Sequence, residues 1–160
     1  MKQSLPLAPA KPIPADCSVQ YGAVCWRLHR SKVEVLLITS RDTGRWVIPK
    51  GWPMDGLTPA QTATREAWEE AGVEGAAAEA GIGLFHYDKV MCPKPSVSCR
   101  VEVFALRVAK MKDKFPERGQ RRRKWFSAEK AARKVIEPEL RHLLASLSDG
   151  VGPVTALVTA

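Results

Sequence analysis

The stretch from Gly51 to Val73 constrains this chain more than any other, because it specifies a helix with both ends and one face fixed. Thr58 offers an N-cap hydroxyl, Pro59 occupies the first helical position, and Gln61 is placed to complete a capping box. Gly72 follows the last turn, where a left-handed residue is favoured. The predicted helix is about fourteen residues long. At about 100° per residue, Glu66, Glu69 and Glu70 share one arc, while Ala60, Ala63, Ala67 and Ala71 form a separate stripe of small residues. Carboxylates spaced in this way repel one another by roughly a few tenths of a kcal/mol per pair unless a cation sits between them. A divalent ion is the obvious cation. Oxygen ligands without clustered Cys or His point to Mg²⁺ or Mn²⁺ rather than zinc.

A solvated acidic face is the ordinary reading of a Glu-rich helix, and here the flanking residues change it. The whole stretch resembles the Nudix box, Gly-x5-Glu-x7-Arg-Glu-U-x-Glu-Glu-x-Gly-U, in which U is bulky and apolar. Gly51 is its opening glycine, Arg65-Glu66 and Glu69-Glu70 its acidic core, and Gly72-Val73 its close. Leu57 stands where the family has its first glutamate, and the small Ala67 stands at the first apolar position. Weaker flanking matches are Tyr21-Gly-Ala-Val-Cys-Trp-Arg27, Arg45-Trp-Val-Ile-Pro-Lys-Gly-Trp52 and Arg121-Arg-Arg-Lys-Trp-Phe126. These are similar to the diphosphoinositol polyphosphate and diadenosine polyphosphate hydrolase branch, from about residue 20 to residue 147.

The resemblance implies an α/β Nudix fold, a mixed β-sheet sandwiched between α-helices. It also implies water attack on phosphorus in a phosphoanhydride of nucleoside- or inositol-polyphosphate type, assisted by Mg²⁺ or Mn²⁺. Within the box it implies Glu66, Glu70 and the Gly51 carbonyl as metal ligands, with Glu69 as general base adding to the metal cluster. Glu66 is the alternative base inside the box, and Glu102 or Glu117 outside it. Arg65 would orient the acidic cluster, although an Arg four residues before Glu69 is also an ordinary helix ion pair. Lys50 adjoins the metal loop, and Arg41, Arg45, Lys89 and Arg121 lie in segments bordering the site in similar proteins. Each can bind phosphate, Arg bidentately and Lys as a point charge, and each can equally be a solubilising surface charge. The competing reading is a non-catalytic Nudix module that binds a nucleotide or RNA, with Leu57 as the first sign of lost chemistry.

At 160 residues the chain is expected to form one domain over residues 17–148. Residues 1–16, rich in Pro and Ala, read as a flexible arm, and residues 149–160 as a loose tail. No apolar run approaches the roughly eighteen residues of a membrane span. The four cysteines, Cys17, Cys25, Cys92 and Cys99, lack CxxC spacing and read as reduced thiols of a cytoplasmic protein. The net charge of +8 favours polyanions. Its densest cluster, Arg118 and Arg121 to Lys124, carries no RNA-recognition signature. A small phosphate-rich substrate therefore accounts for the charge with fewer assumptions than nucleic acid, and oligomeric state is left open.

Period and breakers predict strands over Val19–Leu28 and Val33–Ser40, a short one at Trp46–Ile48, and others at Gly81–Tyr87, Val97–Val108 and Trp125–Phe126. Ala76–Ala80 reads as linker and Asp88–Pro95 as a loop. A helical turn at Ala128–Lys134 precedes an amphipathic helix over Pro138–Leu147.

Overall fold

The computed structural model describes residues 18–91 and 94–149. Its eight strands form one mixed sheet: β1 (Ser18–His29), β2 (Lys32–Thr39), β3 (Trp46–Val47), β4 (Lys50–Gly51), β5 (Val73–Ala77), β6 (Gly83–Met91), β7 (Lys94–Met111) and β8 (Arg123–Ser127). Three helices cover it: α1 (Pro59–Ala71), α2 (Ala128–Lys134) and α3 (Pro138–Ser146), followed by a 3-10 turn at Leu147–Asp149. No described helix is long and apolar enough to cross a membrane. The arm and tail expected at 1–16 and 149–160 fall almost entirely outside the described residues, as do Cys17 and Cys92. Cys25 and Cys99 are buried free thiols.

β1 and β2 form a hairpin whose turn, Arg30-Ser31, takes positive φ at both residues. That backbone follows the right-handed twist of the flanking strands. On its other edge β1 runs parallel to β7, pairing Ser18 with Cys99 through Trp26 with Arg107. The far edge of β2 pairs with β8. The hairpin then forks. Past Leu36 and Cys25 the two strands part, Ile38 and Thr39 pair with β3, and Tyr21 and Gly22 pair with β4. The Ala23 amide donates to the Pro49 carbonyl at 3.0 Å within the gap. Residues 46–51 are thus wedged between β1 and β2, fixed by main-chain hydrogen bonds.

Alternation along the central strands builds a core on each face. Ala23, Cys25, Leu36, Ile38, Phe104 and Leu106 face the Ala60, Ala63, Ala67 and Ala71 stripe of α1. Val24, Trp26, Val35, Leu37, Val101 and Val103 face α2, α3 and the closing turn through Ala131, Leu140, Leu144 and Leu147. The small side chains on α1 let its backbone lie close to the sheet. The fold class expected from the resemblance is the one observed.

Two local expectations are corrected. Residues 73–77 form a strand, where linker was expected from Ala76, because β5 completes the outer edge of β7. The Thr64 hydroxyl accepts the Ala77 amide at 3.0 Å and ties this strand to α1. The loop expected over Asp88–Pro95 is instead mostly strand, since β6 continues through Met91 and β7 opens at Lys94. Lys89 pairs with Val97 but Met91 with Lys94, so β7 carries an extra residue at the register shift beside Pro95. A bulge accommodates a proline that could not donate to a regular ladder.

Candidate active site

The box helix takes the predicted caps. The Gln61 amide donates to the Thr58 hydroxyl at 3.1 Å, and the Thr58 amide to the Gln61 side chain at 2.9 Å. Gly72 has φ +69 and donates its amide to the Trp68 carbonyl at 3.0 Å. With the alanine stripe seated on the sheet, Glu66 and Glu70 turn toward the wedge and are buried. A Cβ added to Gly51 would collide with the Glu66 carboxylate, which lies against β4 here and would have to move to admit it. The Lys50 amide donates to Glu70 Oε1 at 3.3 Å. β4 and the two carboxylates thus meet along one line.

They meet at the wall of a cleft. Glu66, Glu70, Lys50 and Gly51 line it together with Arg41 and Asp42 from the loop after β2, Tyr87 and Lys89 from β6, and Arg121 from the loop before β8. Lys50, Arg41, Lys89 and Arg121, all anticipated as phosphate contacts, are therefore brought together. Lys50 is buried enough that desolvation lowers its pKa, an effect opposed by the nearby Glu70 and Glu137 carboxylates. Its ammonium lies 4.8 Å from the Tyr87 ring centre, within reach of a cation–π contact.

The remaining anticipated residues sit elsewhere. Arg45 lies outside the cleft lining and pairs with Glu137, the N-cap residue of α3, at 2.8 Å. Arg65 is exposed on α1. Glu69 is half-buried and does not line the cleft, although its carbonyl accepts the Glu117 amide at 3.0 Å. Leu57 is half-buried in the turn before α1, its amide donating to the Met54 carbonyl at 3.1 Å.

Sequence reasoning passed over Gln20 and Tyr87. Both line the cleft, and the Tyr87 hydroxyl donates to the Gln20 side-chain oxygen at 2.7 Å. Burial pushes the Tyr87 hydroxyl well above the usual phenol range, so it is neutral. Two signals could have found them. Gln20 is an amide leading into the apolar run Ala23–Trp26 of a central strand, and Tyr87 is two residues from Lys89, hence on the same strand face.

Whether these residues suit a divalent ion can be judged from the donors. Two carboxylates and the backbone at Gly51 converge on the cleft, all oxygen donors. No cluster of three or more His, Cys, Asp or Glu side chains forms a ligand set among the described residues. Mg²⁺ commonly takes one or two carboxylates and fills its remaining positions with water and substrate phosphate. The donor set fits such an ion.

Comparison with known proteins follows the same line. Residues 19–147 match the family described as NUDIX domain. "Nudix hydrolase 12, mitochondrial" of Arabidopsis thaliana is 34% identical over 104 residues, covering 63% of this chain and 51% of that protein. "Diphosphoinositol polyphosphate phosphohydrolase 3-alpha" of Homo sapiens is 30% identical over 118 residues, covering 72% of this chain and 67% of that protein. The chain thus spans about half the length of the plant relative. Among solved structures, a C. elegans Ap4A hydrolase binary complex superposes with a TM-score of 0.62 at 24% identity, covering 82% of this chain and 96% of that one. At that identity the superposition speaks to the fold.

Proposed function

Because this chain belongs to the Nudix family, we propose that it is a hydrolase of phosphoanhydride bonds, using Mg²⁺ or Mn²⁺ and acting on a diadenosine or diphosphoinositol polyphosphate. One observation carries the reading: a single cleft gathers the buried carboxylates Glu66 and Glu70 with Lys50, Arg41, Lys89 and Arg121. A surface meant only for solubility would not gather four cations around buried carboxylates. A chain of phosphates with its counter-ion needs both signs in one place.

Glu66, Glu70 and the Gly51 carbonyl are the groups that would hold the ion. Once bound, it supplies charge cancellation on the phosphate oxygens and acidification of the attacking water. The protein's own cations orient the phosphate chain, Arg41 and Arg121 as planar forks and Lys50 and Lys89 as point charges. Removal of the water's proton needs a carboxylate within hydrogen-bond reach. Glu69 is our candidate for that role, placed beside Glu70 on the helix and tied through its carbonyl to the Glu117 loop. Glu66 competes with it, because Glu66 lines the cleft and Glu69 does not.

Turnover of a panel of diadenosine and diphosphoinositol polyphosphates, with and without Mg²⁺ or Mn²⁺, tests the reading. Metal-dependent release of phosphorylated products is expected. A protein that binds these compounds and cleaves none would be the non-catalytic module, the reading favoured by Leu57 at the position of the family's first glutamate. Within an active protein, Glu69→Gln should lower kcat by roughly 10²–10⁴ with substrate binding retained. Near-normal turnover would pass the role to Glu66.

A further inference from the structure

Arg121 is held differently from every other cation of the cleft. Its Nη2 lies 3.1 Å from Glu117 Oε1 and 3.8 Å from Glu70 Oε2, and its Nη1 donates to the Thr39 carbonyl at 3.3 Å. Its side chain is 10% exposed, and the buried Nε has no hydrogen-bond partner among the described residues. The main chain beside it is pinned, since the Thr39 amide donates to the Arg122 carbonyl at 3.0 Å and the Arg122 amide to the Thr39 hydroxyl at 2.9 Å. The Glu117 amide is bonded to the Glu69 carbonyl of α1 at 3.0 Å. Any change at Arg121 therefore belongs to its side chain.

Glu70 is the point of conflict. It faces this guanidinium and is also a proposed ligand of the divalent ion. A carboxylate shared by two cations attracts each of them less, and the two cations repel each other at short range. Arg123, two residues along, has no such competitor, because it donates to the Ala71 carbonyl at 2.7 Å and pairs with Asp113 at 3.3 Å.

We propose that Arg121 is an internal counter-cation, neutralising Glu70 and Glu117 while the divalent ion is absent and passing to substrate phosphate when the ion takes its place. The inference rests on the metal-dependent reading above and adds an order to it. The metal loosens Arg121, the loosened fork with its unspent Nε binds phosphate, and phosphate in turn keeps Arg121 away from Glu70. By linkage, phosphate then strengthens metal binding by the same factor that metal strengthens phosphate binding. Arg121 on this account is a phosphate-binding residue that couples two ligands.

The test is calorimetric titration of the full chain with Mn²⁺, with and without methylenediphosphonate, corrected for direct association of the two. Arg121→Ala should bind Mn²⁺ alone roughly three- to tenfold more tightly than wild type, as expected for loss of a largely buried ion-pair competitor. The enhancement by methylenediphosphonate seen in wild type should shrink in the variant. Lys89→Ala removes one positive charge from the same cleft and should tighten Mn²⁺ binding distinctly less. Equal Mn²⁺ affinity in wild type and Arg121→Ala, or equal tightening by both variants, overturns the inference and leaves the metal-dependent reading intact. Failure of every protein to bind Mn²⁺ overturns that reading and the inference with it. Wild type alone gives a second readout should Arg121→Ala not fold. The Nε–Hε resonance of Arg121 should shift on saturation with Mg²⁺, and an unmoved resonance refutes the exchange.

Discussion

Cys25, at the centre of β1, is fully buried beneath α1, and burial pushes its thiol from 9.0 up to about 12. Between those values the unfolded chain loses this proton while the folded one keeps it. Stability from this group is therefore fully present below 9.0 and falls as pH rises toward 12. Cys25→Ala should flatten the alkaline loss, read as urea midpoints at neutral pH and across that window. Parallel profiles for the two proteins would remove Cys25 as its source. Lys50 acts with the opposite sign, because its lowered pKa means that the cost of burying its charge is relieved as pH rises. Taking the difference between the two profiles cancels its contribution. Arg45 shows how little a residue type alone decides. A guanidinium next to the wedge, which could have been a phosphate contact or a surface charge, closes an ion pair with Glu137 at the start of α3.

Among the elements, α1 was the most legible, because its information is local. Caps, alanine stripe and acidic arc all lie within Thr58–Gly72; the caps and the stripe reappear in the structure, and of the arc Glu66 and Glu70 enter the cleft while Glu69 does not. Thr58→Ala removes the hydroxyl that accepts the Gln61 amide and should cost about 1 kcal/mol of stability, measured by chemical denaturation. Ala67→Leu should cost more, about 1–3 kcal/mol, because that position is fully buried against the sheet. If Ala67→Leu proved the milder change, the close approach of α1 would not be what holds the two carboxylates in place. β5 and the ends of β6 and β7 were illegible for the converse reason. Ala76 and Pro95 carry weak or contrary strand propensity, and only pairing, of β5 with the far end of β7 and of β6 with its beginning, makes strands of their surroundings. Of the cleft lining, Lys50, Glu66 and Glu70 could be read from adjacency along the chain. The Tyr87–Gln20 bond could not, because it joins β6 to β1.

Over the whole molecule, the excess of positive charge acquires a direction, since four cations meet in one cleft. Lys89→Ala should raise KM more for substrates with longer phosphate chains than for a simple nucleotide-sugar diphosphate, because a longer chain engages more of these charges. A uniform rise would make Lys89 part of a diffuse field rather than a subsite. The sheet that frames the cleft has a further consequence, for how the protein reaches this state. Its central pairing is parallel and joins the start of the described chain, Ser18–Trp26, to Cys99–Arg107, with α1 and β6 lying between them in sequence. Contacts so distant along the chain close late, after most of the loop entropy has been lost. Gln20 lies on β1, Tyr87 on β6 and Glu70 on α1, so the cleft is assembled only when that last pairing forms. Refolding followed by ligand binding and refolding followed by a core fluorophore such as Trp26 should therefore share a single slow phase.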